Sequence, residues 1–88
     1  MTNVDSNIRN EMRGFIEENF LYLRPDVELT DGDDFLALGV IDSLGFVELV
    51  EEVQSRYAIV IDDVEITEEN FGSIDAIAAF VARKQGGA

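Results

Sequence analysis

The stretch Leu38-Gly39-Val40-Ile41-Asp42-Ser43-Leu44-Gly45-Phe46-Val47-Glu48-Leu49 decides how this chain folds. Asp and Ser are both favoured at a helix N-cap, where a side-chain oxygen accepts from a free N–H of the first turn. A helix is therefore predicted from Asp42 or Ser43 to about Tyr57. At ~100° per residue, Phe46, Leu49, Val50, Val53 and Tyr57 fall on one side, which should face the core. Leu44, Val47, Glu48, Glu51 and Ser55 fall on the opposite side. Ser43 sits at the tip, near the edge between the two. A purely solvated face would not need Leu44 and Val47.

Upstream, Arg24 to Ile41 reads as a long acidic loop. Asp26, Glu28, Asp31, Asp33 and Asp34 keep it wet, and Phe35, Leu36, Leu38, Val40 and Ile41 should pin it to the core. Before it, Ile8, Met12, Phe15, Ile16, Phe20 and Leu23 recur at helical spacing and predict a first helix from about Ser6 to Leu23. Asp5 or Ser6 would cap it. Pro25 ends it, because the residue before a proline is pushed away from helical angles. Gly14 inside it costs about 1 kcal/mol relative to alanine.

Downstream, Tyr57 to Ile61 is rich in β-branched residues that suit a strand. No second strand exists to pair with it, so it reads as a buried extended connection. Thr67 should cap a short helix ending near Phe71. Ser73 should cap a last helix with Ile74, Ile77, Ala78 and Val81 inward. Arg83 and Lys84 suit the negative end of its dipole, and Gly86-Gly87 ends it. The expected architecture is all-α: a small four-helix bundle of three longer helices and one short one, with a long loop between the first two. Residues 6–84 form its single domain, and 1–5 and 85–88 are expected to be loose.

Composition narrows the function. A chain of 88 residues is one domain and buries only ~60% of its unfolded surface. It has little room for an enzyme active site. Nineteen acidic residues against six basic ones give a formal charge of −13. That repels phosphate backbones and anionic lipid, argues against nucleic-acid binding, and favours partners with basic surfaces. It also strains the compact state by self-repulsion, which a divalent cation or a basic partner would relieve. Cysteine and histidine are absent. No disulfide, thiol nucleophile, imidazole base or Cys/His zinc site can exist. No apolar run approaches the ~20 residues of a membrane helix, and no signal peptide is expected, so the expected location is the cytoplasm.

Taken alone, Asp42-Ser43-Leu44 is explained by helix capping. In its context, the stretch from Leu38 to Leu49 resembles the attachment site of acyl carrier proteins and their aminoacyl and peptidyl relatives. Glu48-Leu49 follows at that family's spacing, and Asn70-Phe71-Gly72-Ser73-Ile74-Asp75-Ala76-Ile77 resembles the start of its last helix. The resemblance covers about residues 6 to 84. It implies that Ser43 carries a covalent 4′-phosphopantetheine arm, moved from coenzyme A by a magnesium-dependent phosphopantetheinyl transferase. A chain without cysteine could carry thioesters only on such an imported thiol. A helix N-terminus also favours the new phosphodiester, because its free N–H groups and positive dipole end attract an anion. In relatives the aspartate at the position of Asp42 helps the transferase reaction. With no histidine to activate it, Ser43 would depend on a base from the transferase, so the chain is a substrate and carrier, not an enzyme.

A charge run is usually a solvated face. Here Asp42, Leu44, Val47, Glu48 and Glu51 adjoin Ser43, a mixture suited to transient docking of a monomeric carrier on basic enzyme surfaces. Glu52 lies toward the far side. Asp31, Asp33 and Asp34 do not make an EF-hand, since Phe35 and Leu36 occupy the fifth and sixth positions of such a loop, and no metal site is expected. Two cargo readings stand within the family, and the expected one is a freestanding acyl carrier of fatty-acid, lipid or polyketide synthesis, with the aminoacyl carrier as the alternative. The acidity of the second helix favours a fatty-acyl or polyketide carrier serving synthase and transferase enzymes. Ile41-Asp42-Ser43-Leu44-Gly45 and Val53-Gln54-Ser55-Arg56-Tyr57 look more like aminoacyl carriers loaded by a separate ligase, similar to D-alanyl carriers. A rival of another class is an unmodified acidic interaction protein. For a fatty cargo, Phe46, Val50, Ile61, Ile66 and Ile77 would have to part to enclose the chain.

Overall fold

The computed structural model describes residues 4–22 and 24–86. Four α-helices carry the apolar periodicity: α1 (Val4–Ile16), α2 (Ser43–Tyr57), α3 (Glu68–Phe71) and α4 (Ile74–Gly86). There is no strand among the described residues. The molecule is the expected all-helical bundle, with α1 packed along α4. Helix α1 takes in Val4 and Asp5 and α4 takes in Gln85 and Gly86, and the rest of the two stretches expected to be loose lies outside the described residues. Helix α1 already includes Val4, so Asp5 and Ser6, the two expected cap positions, both lie inside it. Leu23 and Gly87 lie outside the described residues.

Ile8, Met12 and Ile16 of α1 meet Leu49, Val50 and Val53 of α2 and the inward side of α4 in one core. Phe80 joins Ile74, Ile77, Ala78 and Val81 there. The predicted core and solvent sides of α2 are as observed, with Phe46 and Tyr57 half-buried at its margins. The Tyr57 hydroxyl donates to Glu11 Oε1 at 2.8 Å, and burial together with that bond pushes the phenol's pKa up.

The first helix does not run unbroken to the loop. Glu17–Leu21 forms a single π-helical turn. In an α-helix, residues five apart point ~140° away from each other. The wider turn brings Phe15 and Phe20 edge to face, with centroids 6.0 Å apart, and the Asn19 amide donates to the Phe15 carbonyl at 2.8 Å.

The loop over residues 24–42 is pinned by Leu29, Phe35, Val40 and Ile41. Leu38, expected to pin it too, points outward because it sits on the turn that carries the chain from Asp34 to Gly39. The aspartates of this loop have local tasks. Asp31 pairs with Arg9 and Arg13, Asp33 accepts from the Thr30 N–H, and Asp34 accepts from the N–H groups of Leu36 and Ala37. Arg9 also reaches Asp75 on α4, and Arg13 donates to the Leu29 carbonyl, so two cations clamp an acidic loop against two helices.

After α2 the connection is only half buried. Ile61 is inside, held by the Gln54 side chain on its N–H, and Val60 is exposed. A 3-10 turn at Asp63–Glu65 follows, with a reciprocal capping box between Asp62 and Glu65. Its carboxyl bonds Lys84 of α4, which holds the Glu65 pKa below the usual carboxylate range. Thr67 and Ser73 cap α3 and α4 as predicted, accepting from the N–H groups of Asn70 and Ala76.

Helix α2 ends at Ala58, whose φ of 53° is left-handed. A side chain there costs about 1–2 kcal/mol, which glycine avoids. Ala58→Gly is expected to raise stability by about 0.5–1 kcal/mol, measured as a higher urea midpoint at unchanged slope.

Candidate functional site

The tip of α2 is built from the loop that precedes it. Phe35 is fully buried and its N–H donates to the Gly72 carbonyl between α3 and α4 at 2.8 Å. Its own carbonyl accepts from Val40 at 3.0 Å and Ile41 at 3.4 Å, while Gly39, at φ +70°, supplies the turn between. Val40 and Ile41 are buried, so the next residue, Asp42, is delivered to a fixed place.

Asp42 has extended angles and caps the helix. Its Oδ1 accepts from the Gly45 N–H and its carbonyl from the Phe46 N–H, both at 2.8 Å. The sequence allows the cap to either Asp42 or Ser43, and the structure gives it to Asp42. Ser43 is consequently exposed, and its hydroxyl has no partner among the described residues. The first turn of a helix leaves N–H groups without intrahelical acceptors. With Gly45 and Phe46 satisfied by Asp42, those of Ser43 and Leu44 remain at the positive end of the dipole.

Gly45 is the residue that sequence reasoning passed over. It is buried, and a Cβ on it would lie 2.8 Å from Phe20 Cε1 and 3.0 Å from Ile41 Cγ2. Only a glycine lets the π-helical turn close on α2 here. The signal was a glycine placed inside a helix, where it costs about 1 kcal/mol unless a close approach needs it.

Two clefts flank Ser43. One, of about 230 Å³, is lined by Leu36, Ser43, Phe46, Ile66, Thr67 and Glu68. The other, of about 270 Å³, lies on the α1 side and is lined by Phe20, Gly39, Val40, Asp42, Leu44, Gly45 and Glu48. An exposed hydroxyl, two free N–H groups and an adjacent cleft with walls from Leu36, Phe46 and Ile66 fit a phosphodiester with a flexible, partly apolar arm.

The outward face is placed as expected. Leu44 is 71% and Val47 52% exposed, and Glu48 and Glu51 stand beside them with no ion pair among the described residues. Glu52 differs: Arg56 bonds it at 2.8 Å and partly neutralises it. The basic side chains are engaged elsewhere, Arg9 and Arg13 with the loop, Arg24 with the Gly39 carbonyl, Arg83 with Asn70 and Lys84 with Glu65. The field over this face is therefore negative and unrelieved.

Comparison with known proteins agrees with this geometry. A family profile described as "Phosphopantetheine attachment site" matches residues 18–81. D-alanyl carrier proteins from two strains of Streptococcus suis are each 31% identical over 75 residues, covering 85% of this chain and 91% of theirs. Aminoacyl carrier protein 2 of Bradyrhizobium diazoefficiens is 27% identical over 86 residues, covering 96% of this chain and 89% of its own. The chain thus belongs to the phosphopantetheine-attachment family, whose members are non-catalytic carriers holding 4′-phosphopantetheine covalently and working with phosphopantetheinyl transferases and loading enzymes.

Proposed function

We propose that Ser43 takes the arm and that the arm carries an aminoacyl group, loaded by a separate amino-acid-activating ligase. The observation that carries the first half is the release of the Ser43 hydroxyl by the Asp42 cap. In the transfer, Ser43 Oγ bonds to the phosphorus of coenzyme A that bears the pantetheine. The bond from that phosphorus to the nucleotide breaks, adenosine 3′,5′-bisphosphate leaves, and the serine proton goes to a base on the transferase. This chain has no histidine to serve as that base. The arm supplies the thiol on which cargo is held as a thioester. Asp42 commits Oδ1 to its helix and leaves Oδ2 for the transferase's metal or a basic side chain. Leu44, Val47, Glu48 and Glu51 form the docking face, where charge speeds encounter and the two aliphatic side chains give short-range contact. The setting is the cytoplasm, and the carrier works as a monomer.

The second half rests on the relatives, which are named as D-alanyl and aminoacyl carriers. The acidity of α2 does not favour a fatty-acyl or polyketide carrier over an aminoacyl one, because a basic enzyme surface serves either. The test is intact-mass analysis after incubation with coenzyme A and a broad-specificity transferase, followed by release and identification of the thioester cargo from the native host. One phosphopantetheinyl group and an amino acid are expected. A fatty-acyl or polyketide cargo overturns the second half alone. A protein that gains no mass overturns the first half and leaves the unmodified interaction protein.

A further inference from the structure

The cleft between Ser43 and α3 has one aromatic ring in its wall, and two more rings stack behind that one. Phe46 forms part of its wall. The Phe46 ring meets Phe71 edge-on, with centroids 6.3 Å apart and planes at 79°. Phe71 in turn lies tilted against Phe80, with centroids 4.9 Å apart. Phe71 and Phe80 are 0% and 2% exposed. The rings come from α2, α3 and α4, so one continuous aromatic contact ties these helices together behind the cleft.

We propose that Phe46 is a steric gate that closes the interior of this carrier, so that cargo rides in solvent and length of an alkyl chain earns no protection. This deepens the function proposed above and rests on Ser43 carrying the arm. Its cargo class is short or polar acyl groups, of which aminoacyl groups are one.

The physical case has two parts. An alkyl chain entering from the cleft meets the Phe46 ring first. Moving that ring gives up its edge-to-face contact with Phe71 and forces new volume into a packed interior, and both are unfavourable. The cleft outside the gate is also a poor place for an alkyl chain. Thr67 and Glu68 line it alongside Leu36 and Ile66, and burying apolar carbon against a carboxylate desolvates the carboxylate without a partner. Ile66, one of the residues that would have to part around a chain, is already 37% exposed and offers little enclosure.

The test loads apo protein through a broad-specificity transferase with acetyl-coenzyme A or octanoyl-coenzyme A and compares melting temperatures. An enclosed chain stabilises the folded state as a bound ligand does, whereas a chain in solvent does not. The wild-type acetyl and octanoyl forms are expected to melt within about 1 °C of each other, and an octanoyl form melting about 5 °C or more higher overturns the proposal. Phe46→Ala is expected to open a gap of at least about 3 °C in favour of octanoyl. Phe46→Leu, which keeps most of the volume, replaces it where the alanine variant does not fold, with a smaller gap in the same direction. A wild type and a folded gate variant that both show no gap remove the assignment to Phe46. A wild type that accepts neither acyl-pantetheine group refutes the attachment reading itself, a result distinct from any change in melting.

Discussion

Ser43→Ala is expected to abolish uptake of the prosthetic group completely while leaving the fold as stable as the wild type. The two halves of that result come from the same geometry. Ser43 is exposed at the first residue of α2, and the cap is made by Asp42, so its hydroxyl holds nothing together. Its loss should change stability by no more than about 0.5 kcal/mol, as for surface substitutions generally. Asp42→Ala is the contrasting variant. It removes the acceptor of the Gly45 N–H and should cost about 1 kcal/mol, lowering the melting temperature by about 4–8 °C in a domain of this size. It should also slow loading. Intact mass and thermal melting on both variants decide the matter. A Ser43→Ala protein that still gains the group rules out this serine as the attachment point. One that melts far below the wild type shows that Ser43 supports the fold and that the cap has been misassigned.

Much of this arrangement was legible because helices announce themselves locally. The spacing of Leu49, Val50 and Val53 orients α2, and the opposite spacing of Leu44, Val47, Glu48 and Glu51 puts a mixed face beside Ser43. Thr67 and Ser73 cap within four residues of their helices, so their roles need no tertiary information. The features that escaped are all produced by contacts between distant segments. No composition marks the π-helical turn at Glu17–Leu21; it is recognisable only once Phe20 is seen against Gly45. Leu38 and Val40 are both aliphatic residues of one acidic loop, and what sends one out and the other in is a hydrogen bond to the Phe35 carbonyl. The wall of the cleft opposite Ser43 comes from Ile66, Thr67 and Glu68, more than twenty positions away. A sequence pattern can nominate the serine, but it cannot supply the partner wall.

Phe71→Ala is expected to be strongly destabilising. Helix α3 has only four residues, too few to hold itself by hydrogen bonds, and Phe71 is the one side chain it buries. That side chain is fully enclosed and touches both Phe46 and Phe80. Truncating a buried phenylalanine costs about 3–5 kcal/mol. At ~0.05–0.15 kcal/mol per residue, a domain this small has on the order of 5–13 kcal/mol in total. The formal charge of −13 draws on the same reserve through self-repulsion. The melting temperature should therefore fall by roughly 15–30 °C, and part of the loss should return at about 1 M salt, where charges are screened within ~3 Å. Val64→Ala, at a side chain 86% exposed, is the matched control and should melt with the wild type. A drop below about 5 °C for Phe71→Ala would mean that α3 is not anchored through this ring. The cleft beside Ser43 would then lose its fixed wall, because Thr67 and Glu68 are carried by the same short segment.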